Sequence, residues 1–352
     1  MSSAPNVHEV ARRAGVSIAT VSRVFNTPDV VLPQTRQLVQ RVAHEVGYVP
    51  NANARTLRTQ RSRVLGVVLP TLLNPVFAEC LQGIAQAATA AGYSILPLTS
   101  EYVRETEDHC VSVLAAANVD GLILVLADPA TSTGLRRVVQ RKLPYVLVYN
   151  RHPDHPCVSI DGESAVAELV GTLAMMGHRD IAMVSGVLAN SDRAQQRYRG
   201  YLAGMRAARL RGTRLIEVPF VESGVDHLAK ILAGPGRPTA MVCSNDLLAI
   251  RCVRAAHLSG LNVPGDLTVT GFDGIALGED LTPMLSTVTQ PNDALGSRSV
   301  QLIVQALAAG EALTPHSSVT LEYGFREGES CAAPPETASQ PQRATRASRR
   351  RT

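Results

Sequence analysis

Short apolar segments alternate with amphipathic ones from Val64 to about residue 325, and this alternation constrains the fold more than any other feature. Segments such as VLGVVLP, DGLILVL and PYVLVY are apolar along most of their length, which is typical of strands buried on both faces of a sheet. The segments between them place apolar residues at helical spacing. The alternation therefore predicts parallel sheets with right-handed crossovers and helices on both faces.

The predicted strands are too many for one compact sheet. We therefore predict an α/β body, residues 64–330, of two lobes, each a doubly wound parallel sheet, with a ligand cleft between them. Helix-free stretches near Asp161, Gln290 and Tyr323 are the expected crossovers. The predicted boundaries are 64–161 and 291–325 for lobe 1, 162–290 for lobe 2, and 331–352 for a disordered basic tail.

The segment VHEVARRAGVSIATVSRVFN, residues 7–26, has the pattern of two short helices joined by a tight turn. Apolar spacings of three and four predict a first helix over Val7–Ala14, and Gly15 suits its left-handed C-terminus. Ser17 is the predicted N-cap of a second helix, from Ile18 to Phe25. The second helix presents side chains that can meet base edges, namely Ile18, Ala19, Ser22 and Arg23. The segment thus predicts an all-α helix-turn-helix head that binds DNA; the alternative is a helical hairpin with solvated arginines.

A third helix and a basic segment continue this region. Gln34–Val46 is predicted to be helical, with apolar residues on one face at Leu38, Val42 and Val46. The segment ANARTLRTQRSR follows, in which one apolar residue, Leu57, stands among arginines. We therefore predict a DNA-binding head over residues 1–50 and a hinge over residues 51–63.

The distribution of charge supports this division. Residues 1–63 contain nine Arg against three acidic residues, a charge of +6, and residues 332–352 contain five Arg against one Glu, a charge of +4. Because the whole chain carries +4, the part between them carries −6. A basic head on an acidic body is typical of a DNA-binding protein with a ligand-binding body.

Several other classes of protein are disfavoured by the sequence. No apolar run approaches the ~20 residues that cross a bilayer, and the N-terminus MSSAPNVHEV lacks the signal-peptide pattern, so we expect a cytoplasmic protein. The six scattered cysteines predict neither a disulfide framework nor a metal site. Phosphate-loop, dinucleotide, nucleophile-elbow and HExxH motifs are absent, so we expect no enzyme activity and no cofactor.

Polar residues placed just after predicted strands are the candidate effector site. A hydroxyl-rich ligand needs carboxylates, amides, an Arg fork and an aromatic face, and such side chains gather at the carboxyl ends of parallel strands. Some have simpler alternatives: Asp161 and either Asn245 or Asp246 could cap the helices that follow, and Arg193 could lie on the surface. The candidates are Asn74, Phe77, Asn150, Asp161, Arg193, Arg197, Asn245 and Asp273.

The motif EVARRAGVSIATVSRVFN, followed by GYVPNANARTLR, resembles the LacI/GalR family of transcriptional regulators, and the resemblance covers nearly the whole chain. It implies that the basic segment is a hinge helix that orders on operator DNA, with Leu57 inserted into the minor groove at a central CG step. One departure is Leu32, where the family usually has a capping Ser before Pro33. The implied DNA-binding residues are Ser17, Ile18, Ala19, Thr20, Ser22, Arg23, Asn26, Asn53, Ala54, Arg55, Leu57 and Arg58.

The same resemblance extends to the body. In SDRAQQRYRGY it implies that Arg197 grips the effector, and in the SND and GFD motifs that Asn245 and Asp273 face it. At PYVLVYN the family more often has Asp where this chain has Tyr149, so Asn150 is displaced by one residue. The predicted effector is a small sugar or a sugar acid. A sugar acid is favoured because the acid is lost while Arg193 and Arg197 are kept, and because LPTLLNPVFAECLQGI resembles gluconate-type regulators.

Together these features predict a sequence-specific transcriptional repressor that binds an inverted repeat as a homodimer. Its operator affinity is predicted to depend on a small effector between two lobes. The tail has no heptad pattern, which favours a dimer over a tetramer. Two alternatives stay open: a sugar-binding transport protein, which the head disfavours, and a sensor of a nucleoside-type corepressor.

Overall fold

The computed structural model describes residues 6–48, 61–220 and 223–335 of the chain. The chain divides into two compact units, which are described separately below. The first comprises Met1–Val64 with Asn118–Asp120, and the second comprises Leu65–Ala117 with Gly121–Thr352.

The first unit contains the head, which has three α-helices in its described part: α1 (Val7–Ala14), α2 (Ile18–Asn26) and α3 (Pro33–Val46). Gly15 ends α1 with φ 64°, and the Ser17 hydroxyl accepts a hydrogen bond of 3.1 Å from the Thr20 amide at the start of α2. Leu32 precedes α3 without a side-chain cap, as expected. The helix-turn-helix is therefore formed by the residues that the sequence indicated.

The core of the head consists of small aliphatic side chains from all three helices. Val10 and Val21 are fully buried, and so is Val39 of α3. The predicted apolar face of α3 packs against this core: Val42 is buried, and Leu38 and Val46 are partly buried against it. Val39 and Ala43 of the same helix are also buried, so the face is wider than the sequence predicted.

Lobe 1 is built on a six-stranded sheet with the order β11-β5-β4-β3-β1-β2. The strand pairs β1–β3, β3–β4, β4–β5 and β5–β11 are all parallel, so β3 is hydrogen-bonded to a strand on each side. Its elements are β1 (Val64–Leu69), α4 (Pro75–Ala90), β2 (Ser94–Thr99), α5 (Arg104–Ala116), β3 (Gly121–Leu124), α6 (Thr133–Gln140), β4 (Tyr145–Val148), β5 (Cys157–Ser159), α11 (Asn292–Ala309) and β11 (Val319–Thr320).

Lobe 2 is built on a second six-stranded sheet with the order β12-β10-β9-β8-β6-β7. It is parallel except for β12, which runs antiparallel to β10. Its elements are α7 (Gly162–Met175), β6 (Ile181–Ser185), α8 (Asp192–Ala207), β7 (Arg214–Glu217), α9 (Val225–Ala233), β8 (Ala240–Cys243), α10 (Asp246–Leu258), β9 (Thr268–Asp273), β10 (Ser286–Thr289) and β12 (Gly324–Arg326).

The C-terminal part of the body differs from the prediction. The expected single strand SVTLEYGF is two short strands, β11 in lobe 1 and β12 in lobe 2, so lobe 1 ends before residue 325. Residues 331–335 also do not belong to a tail: the Ala332 carbonyl accepts hydrogen bonds from the Thr268 hydroxyl and from buried His178 Nε2, at 2.9 and 2.8 Å. Residues 336–352 lie outside the described part.

Helices α7 and α8 cross unusually closely, because α8 has glycine at the contact. A Cβ at Gly200 would lie closer than 3.0 Å to the Glu163 carbonyl oxygen, and one at Gly204 would lie 2.8 Å from that of Ala167. The next side chain, Tyr201, is buried and donates a hydrogen bond of 2.8 Å to the Ile181 carbonyl. The R-G-Y motif therefore fixes α8 on α7 and on the sheet, and with it the residues that α8 carries at its N-terminal end.

The cysteines are all free; five are buried and Cys331 is half-buried. In the part of the chain that the structure describes, no helix is long and apolar enough to cross a membrane.

Candidate functional site

A pocket of about 320 Å³, counted with its open mouth, lies between the carboxyl ends of the strands of the two lobes. It brings together six of the eight candidates, three of which are Arg193, Arg197 and Asp273. Polar and aromatic side chains make up most of its lining, which suits a ligand with hydroxyl groups and a carbon skeleton. The lining residues are Asn74, Val76, Phe77, Tyr102, Tyr149, Ser191, Arg193, Arg197, Phe220, Asn245, Asp273 and Gln290.

Arg197 is buried and balanced by a carboxylate. Its Nη2 lies 3.2 Å from Asp273 Oδ1, its Nη1 donates to the Ser244 carbonyl, and its guanidinium stacks 3.6 Å above the Phe272 ring. Gln290 Nε2 donates to the same Asp273 oxygen at 2.9 Å. Burial raises the pKa of Asp273 to about 7, although the charge of Arg197 opposes that rise. Burial likewise lowers the pKa of Arg197.

The charge of Arg193, one turn earlier on α8, is also balanced by a carboxylate. Its Nη1 donates to the Leu126 carbonyl of lobe 1 at 2.6 Å and lies 3.3 Å from Asp192 Oδ1. Burial raises the pKa of Asp192 to about 6, against the lowering effect of Arg193. The alternative that Arg193 is a surface residue is wrong, because its exposed fraction is 8%. Each guanidinium at the pocket thus has a carboxyl partner.

Two candidates, Asn150 and Asp161, lie outside the lining. Asn150 is fully buried and holds the Leu126 backbone through both its oxygen and its nitrogen, each at 2.9 Å. Asp161 caps α7 by accepting the Ser164 amide at 3.1 Å and pairs with Arg151 at 3.0 Å. In this structure both residues use their polar atoms to hold the fold.

The structure also assigns the helix cap at α10, which the sequence left between two residues. Asn245 accepts the Leu248 amide at 2.8 Å and lines the pocket as well. Asp246 is not the cap: it is fully buried and accepts the Thr287 hydroxyl at 2.5 Å and the Ile275 amide at 2.8 Å.

The pocket also contains an aromatic pair that the sequence did not predict. Tyr102 of lobe 1 and Phe220 of lobe 2 stack with centroids 4.7 Å apart and ring planes 11° apart. Both rings also line a neighbouring outer pocket. A Cβ at Gly186 would collide with the Phe220 ring, so this glycine makes room for it. Ser191, Tyr149 and Gln290 were missed too, although Tyr149 and Gln290 directly follow strands and Ser191 is the N-cap of α8.

On the head, α2 exposes the predicted base-reading face. Arg23 and Ala19 are exposed, as is Ile18 at 44%, while Val21 and Val24 are buried on the opposite side. Ser17 is an exposed cap, Thr20 and Ser22 are half-buried, and Asn26 Nδ2 donates to the Ser22 carbonyl at 2.7 Å. The other candidates, Asn53, Ala54, Arg55, Leu57 and Arg58, lie outside the described residues.

Asp246→Asn is expected to remove a pH dependence of stability. Burial raises the pKa of Asp246 from its ordinary value of 3.8 to about 6, so the native state keeps this proton between about pH 4 and 6 while the unfolded chain loses it. The wild-type free energy of unfolding should therefore fall with rising pH in that window, by about 2 kcal/mol relative to the variant. Urea unfolding of both proteins from pH 4 to 7.5 measures the difference. If the two free energies of unfolding changed with pH in parallel, the raised pKa of Asp246 would be contradicted.

A helix-turn-helix that exposes a base-reading face, on a chain that also carries a two-lobed ligand pocket, defines a DNA-binding regulator controlled by a small molecule. Comparison with known proteins agrees. Residues 6–51 match the model of bacterial regulatory proteins of the lacI family, and residues 170–331 match that of periplasmic binding protein-like domains.

Catabolite control protein A from Priestia megaterium is 32% identical over 304 residues, which cover 85% of this chain and 91% of that protein. The ribose operon repressor from Haemophilus influenzae is 31% identical over 304 residues, with the same coverage of 85% and 91%. The crystal structure of the Lac repressor dimer bound to operator and the anti-inducer ONPF has a TM-score of 0.82 and 26% identity, covering 94% of this chain and 99% of that chain. This chain belongs to the LacI family. The relatives named above are transcriptional regulators rather than enzymes.

Proposed function

We propose that this protein is a dimeric repressor that binds an inverted-repeat operator and changes its operator affinity when a small neutral sugar occupies the pocket. The relatives support the repressor, dimer and operator parts of this proposal, since they include a ribose operon repressor and a Lac repressor dimer bound to operator. No metal or cofactor is part of it. As a DNA-binding regulator it is expected to act in the cytoplasm, where bacterial DNA lies.

The balance of charge in the pocket is the observation that favours a neutral sugar over a sugar acid. Arg193 and Arg197 are each paired with a carboxyl group, so neither guanidinium needs the charge of a ligand. A ligand carboxylate would have to displace Asp273 from Arg197 or approach it closely. Hydroxyl groups, in contrast, can donate to Asp273 and accept from Arg193, Asn74 or Asn245 without changing the net charge.

A ligand screen tests this part of the proposal. The melting temperature of the protein is measured with neutral sugars, sugar acids and nucleosides at pH 7.5, since a ligand that binds the native state raises it. Stabilisation by a neutral sugar supports the proposal. Stabilisation by sugar acids alone would replace it with the sugar-acid alternative, and stabilisation by nucleosides alone with the corepressor alternative.

Selection from a random duplex pool, with full-length protein at a stated salt concentration, tests the DNA side. Two heads related by two-fold symmetry should enrich a self-complementary site, and the predicted insertion of Leu57 adds a CG step at its centre. The absence of enrichment, with and without metabolite extract, would contradict DNA reading by this head.

Arg23→Ala is expected to weaken binding to the selected operator by roughly 1–3 kcal/mol and to relax sequence choice at one position of each half-site. Arg23 lies on the exposed face of α2, where its fork can reach a guanine. Arg41→Ala on α3, whose side chain is 69% exposed, is the matched control for lost charge. Equal losses on operator and random DNA would show that Arg23 contacts phosphate only.

The dimer is expected to form along strand β2. This strand is at the edge of the lobe 1 sheet, and unlike its buried neighbours it exposes apolar side chains such as Leu96. Val113 of α5, the helix that follows, is 40% exposed. An exposed apolar edge of this kind is a liability unless another surface covers it, and a second copy of the chain is the cover that we propose.

Leu96→Glu is accordingly expected to convert the dimer to a monomer and to lower operator affinity at least tenfold, because one head would then bind alone. Sedimentation velocity measures the mass and gel shift the affinity. Met175→Glu is the control, since Met175 is 83% exposed in lobe 2. A dimer that survives Leu96→Glu would place the interface elsewhere.

A further inference from the structure

A half-buried carboxylate, that of Asp120, holds the chain where it enters the body. Asp120 Oδ1 accepts hydrogen bonds from the Ser62 amide at 2.7 Å and the Ser62 hydroxyl at 2.9 Å, and Oδ2 accepts the Arg63 amide at 3.0 Å. The Asp120 amide in turn donates to the Val64 carbonyl at 2.8 Å. Arg63 has φ 59°, a left-handed conformation that residues other than glycine seldom adopt. We refer to Ser62, Arg63 and Asp120 as the Asp120 clamp.

The Asp120 clamp fixes the direction of the chain at residues 62 and 63 as well as its position. Two backbone amides and a hydroxyl on one carboxylate allow residues 62 and 63 a single orientation, and charge-assisted hydrogen bonds of this kind are strong. The segment between residues 48 and 61 connects the clamp to the last helix of the head. The orientation of the clamp therefore sets the position and direction from which this segment leaves the body.

The strand that begins directly after the clamp leads to Leu126, which contacts a residue of the effector pocket, Arg193. Strand β3 starts at Gly121 and is held by partners on both sides. Beyond its other end, the Leu126 carbonyl accepts from Arg193 at 2.6 Å, and the Ala127 carbonyl accepts from the Asp192 amide of lobe 2 at 2.7 Å. A change in lobe closure thus acts on one end of a central strand, and the residue that precedes its other end is Asp120.

We propose that Asp120 is a positioning residue for operator binding: it ties the body end of the connection to strand β3, so that lobe closure at the pocket is passed to the DNA-binding head. This inference rests on the proposed function. Asp120 touches neither the pocket nor the base-reading face of α2, and the resemblance and the comparisons assign it no role.

The first test compares two duplexes, the selected operator and the same duplex with one half-site scrambled. Asp120→Ala should weaken binding to the full operator roughly threefold to tenfold, a typical size for such coupling. It should leave binding to the single half-site unchanged, because one head needs no position relative to a second. Equal losses on both duplexes, or no loss on either, would overturn the inference. A wild-type protein that distinguishes neither duplex from random DNA would overturn the proposed function and the inference together.

Variants of graded severity separate positioning from folding. Asp120→Asn keeps the size and one acceptor but turns an NH2 group toward the Arg63 amide, so an intermediate loss is expected in a protein that folds. Asp128→Ala is the matched control, because Asp128 of lobe 1 also accepts a backbone amide, from Ala130 at 3.1 Å, and a hydroxyl, from Thr131 at 2.9 Å. A loss as large in this control would overturn the specific role of Asp120.

A double-mutant cycle tests the route through β3. Asn150→Ala releases the Leu126 backbone at the pocket end of the strand, and Asp120→Ala releases the clamp at the other end. If the strand carries the signal, the two losses in operator affinity should fall short of additivity by at least twofold, since either break interrupts the same route. Additive losses would overturn the route.

Discussion

Arg197→Met is expected to lower the free energy of unfolding by about 3 kcal/mol and to abolish the response of operator binding to the ligand. Removal of one partner from a buried ion pair leaves the other charge uncompensated, which typically costs about 3–5 kcal/mol. The lower end applies here because Asp273, whose pKa burial already raises to about 7, can take up a proton. Urea unfolding at pH 7.5 measures the loss in stability, and gel shift with the stabilising sugar measures the loss of response.

The double variant Arg197→Met with Asp273→Asn separates stability from ligand binding. It removes both charges together, so much of the lost stability should return. Asparagine is chosen because residue 273 has φ 117°, which few side chains tolerate. The ligand response should stay absent, since two charged side chains that line the pocket are gone. Recovery of the response with stability would show that Arg197 only supports the fold.

Gly200→Ala is expected to cost about 3 kcal/mol of stability and to weaken the ligand response. The added methyl group would meet the Glu163 carbonyl, which is backbone and cannot swing away, so α8 must move off α7. Arg193 and Arg197 would move with that helix. Differential scanning calorimetry measures the first effect and ligand titration the second.

Gly171→Ala on α7 is the matched control for the Gly200 substitution. Nothing lies within 4 Å of a Cβ at this helical glycine, so the change should stabilise the protein by roughly 0.5–1 kcal/mol through the higher helix propensity of alanine. If both substitutions had the same effect, the close crossing of α7 and α8 would not explain the role of Gly200.

The sequence alone predicted much of this architecture, because the relevant signals are local. Periodicity and caps placed α1 correctly and α2 to within one residue, and the strand–helix alternation gave the two lobes. The residues chosen because they follow strands include six that line one pocket, although Phe77, Arg193 and Arg197 lie in the helices that come next. This grouping follows from the rule that the carboxyl ends of parallel strands meet at one edge.

The errors occurred where the outcome depends on contacts distant in sequence. Directly after β4, Tyr149 lines the pocket whereas Asn150 bonds to the Leu126 backbone, so a difference of one residue decides which side chain meets the ligand. Phe220 reaches the pocket from a loop whose course depends on space above Gly186. No local pattern marks the division of SVTLEYGF between two sheets either.

The stacked rings of Tyr102 and Phe220 belong to different lobes, so their contact exists only while the lobes are together. An aromatic pair contributes about 1 kcal/mol, which multiplies the ratio of closed to open molecules by roughly five before any ligand arrives. A larger closed population raises the apparent affinity of every ligand that needs it. The concentration at which this regulator responds is therefore set partly by how well its two lobes bind each other.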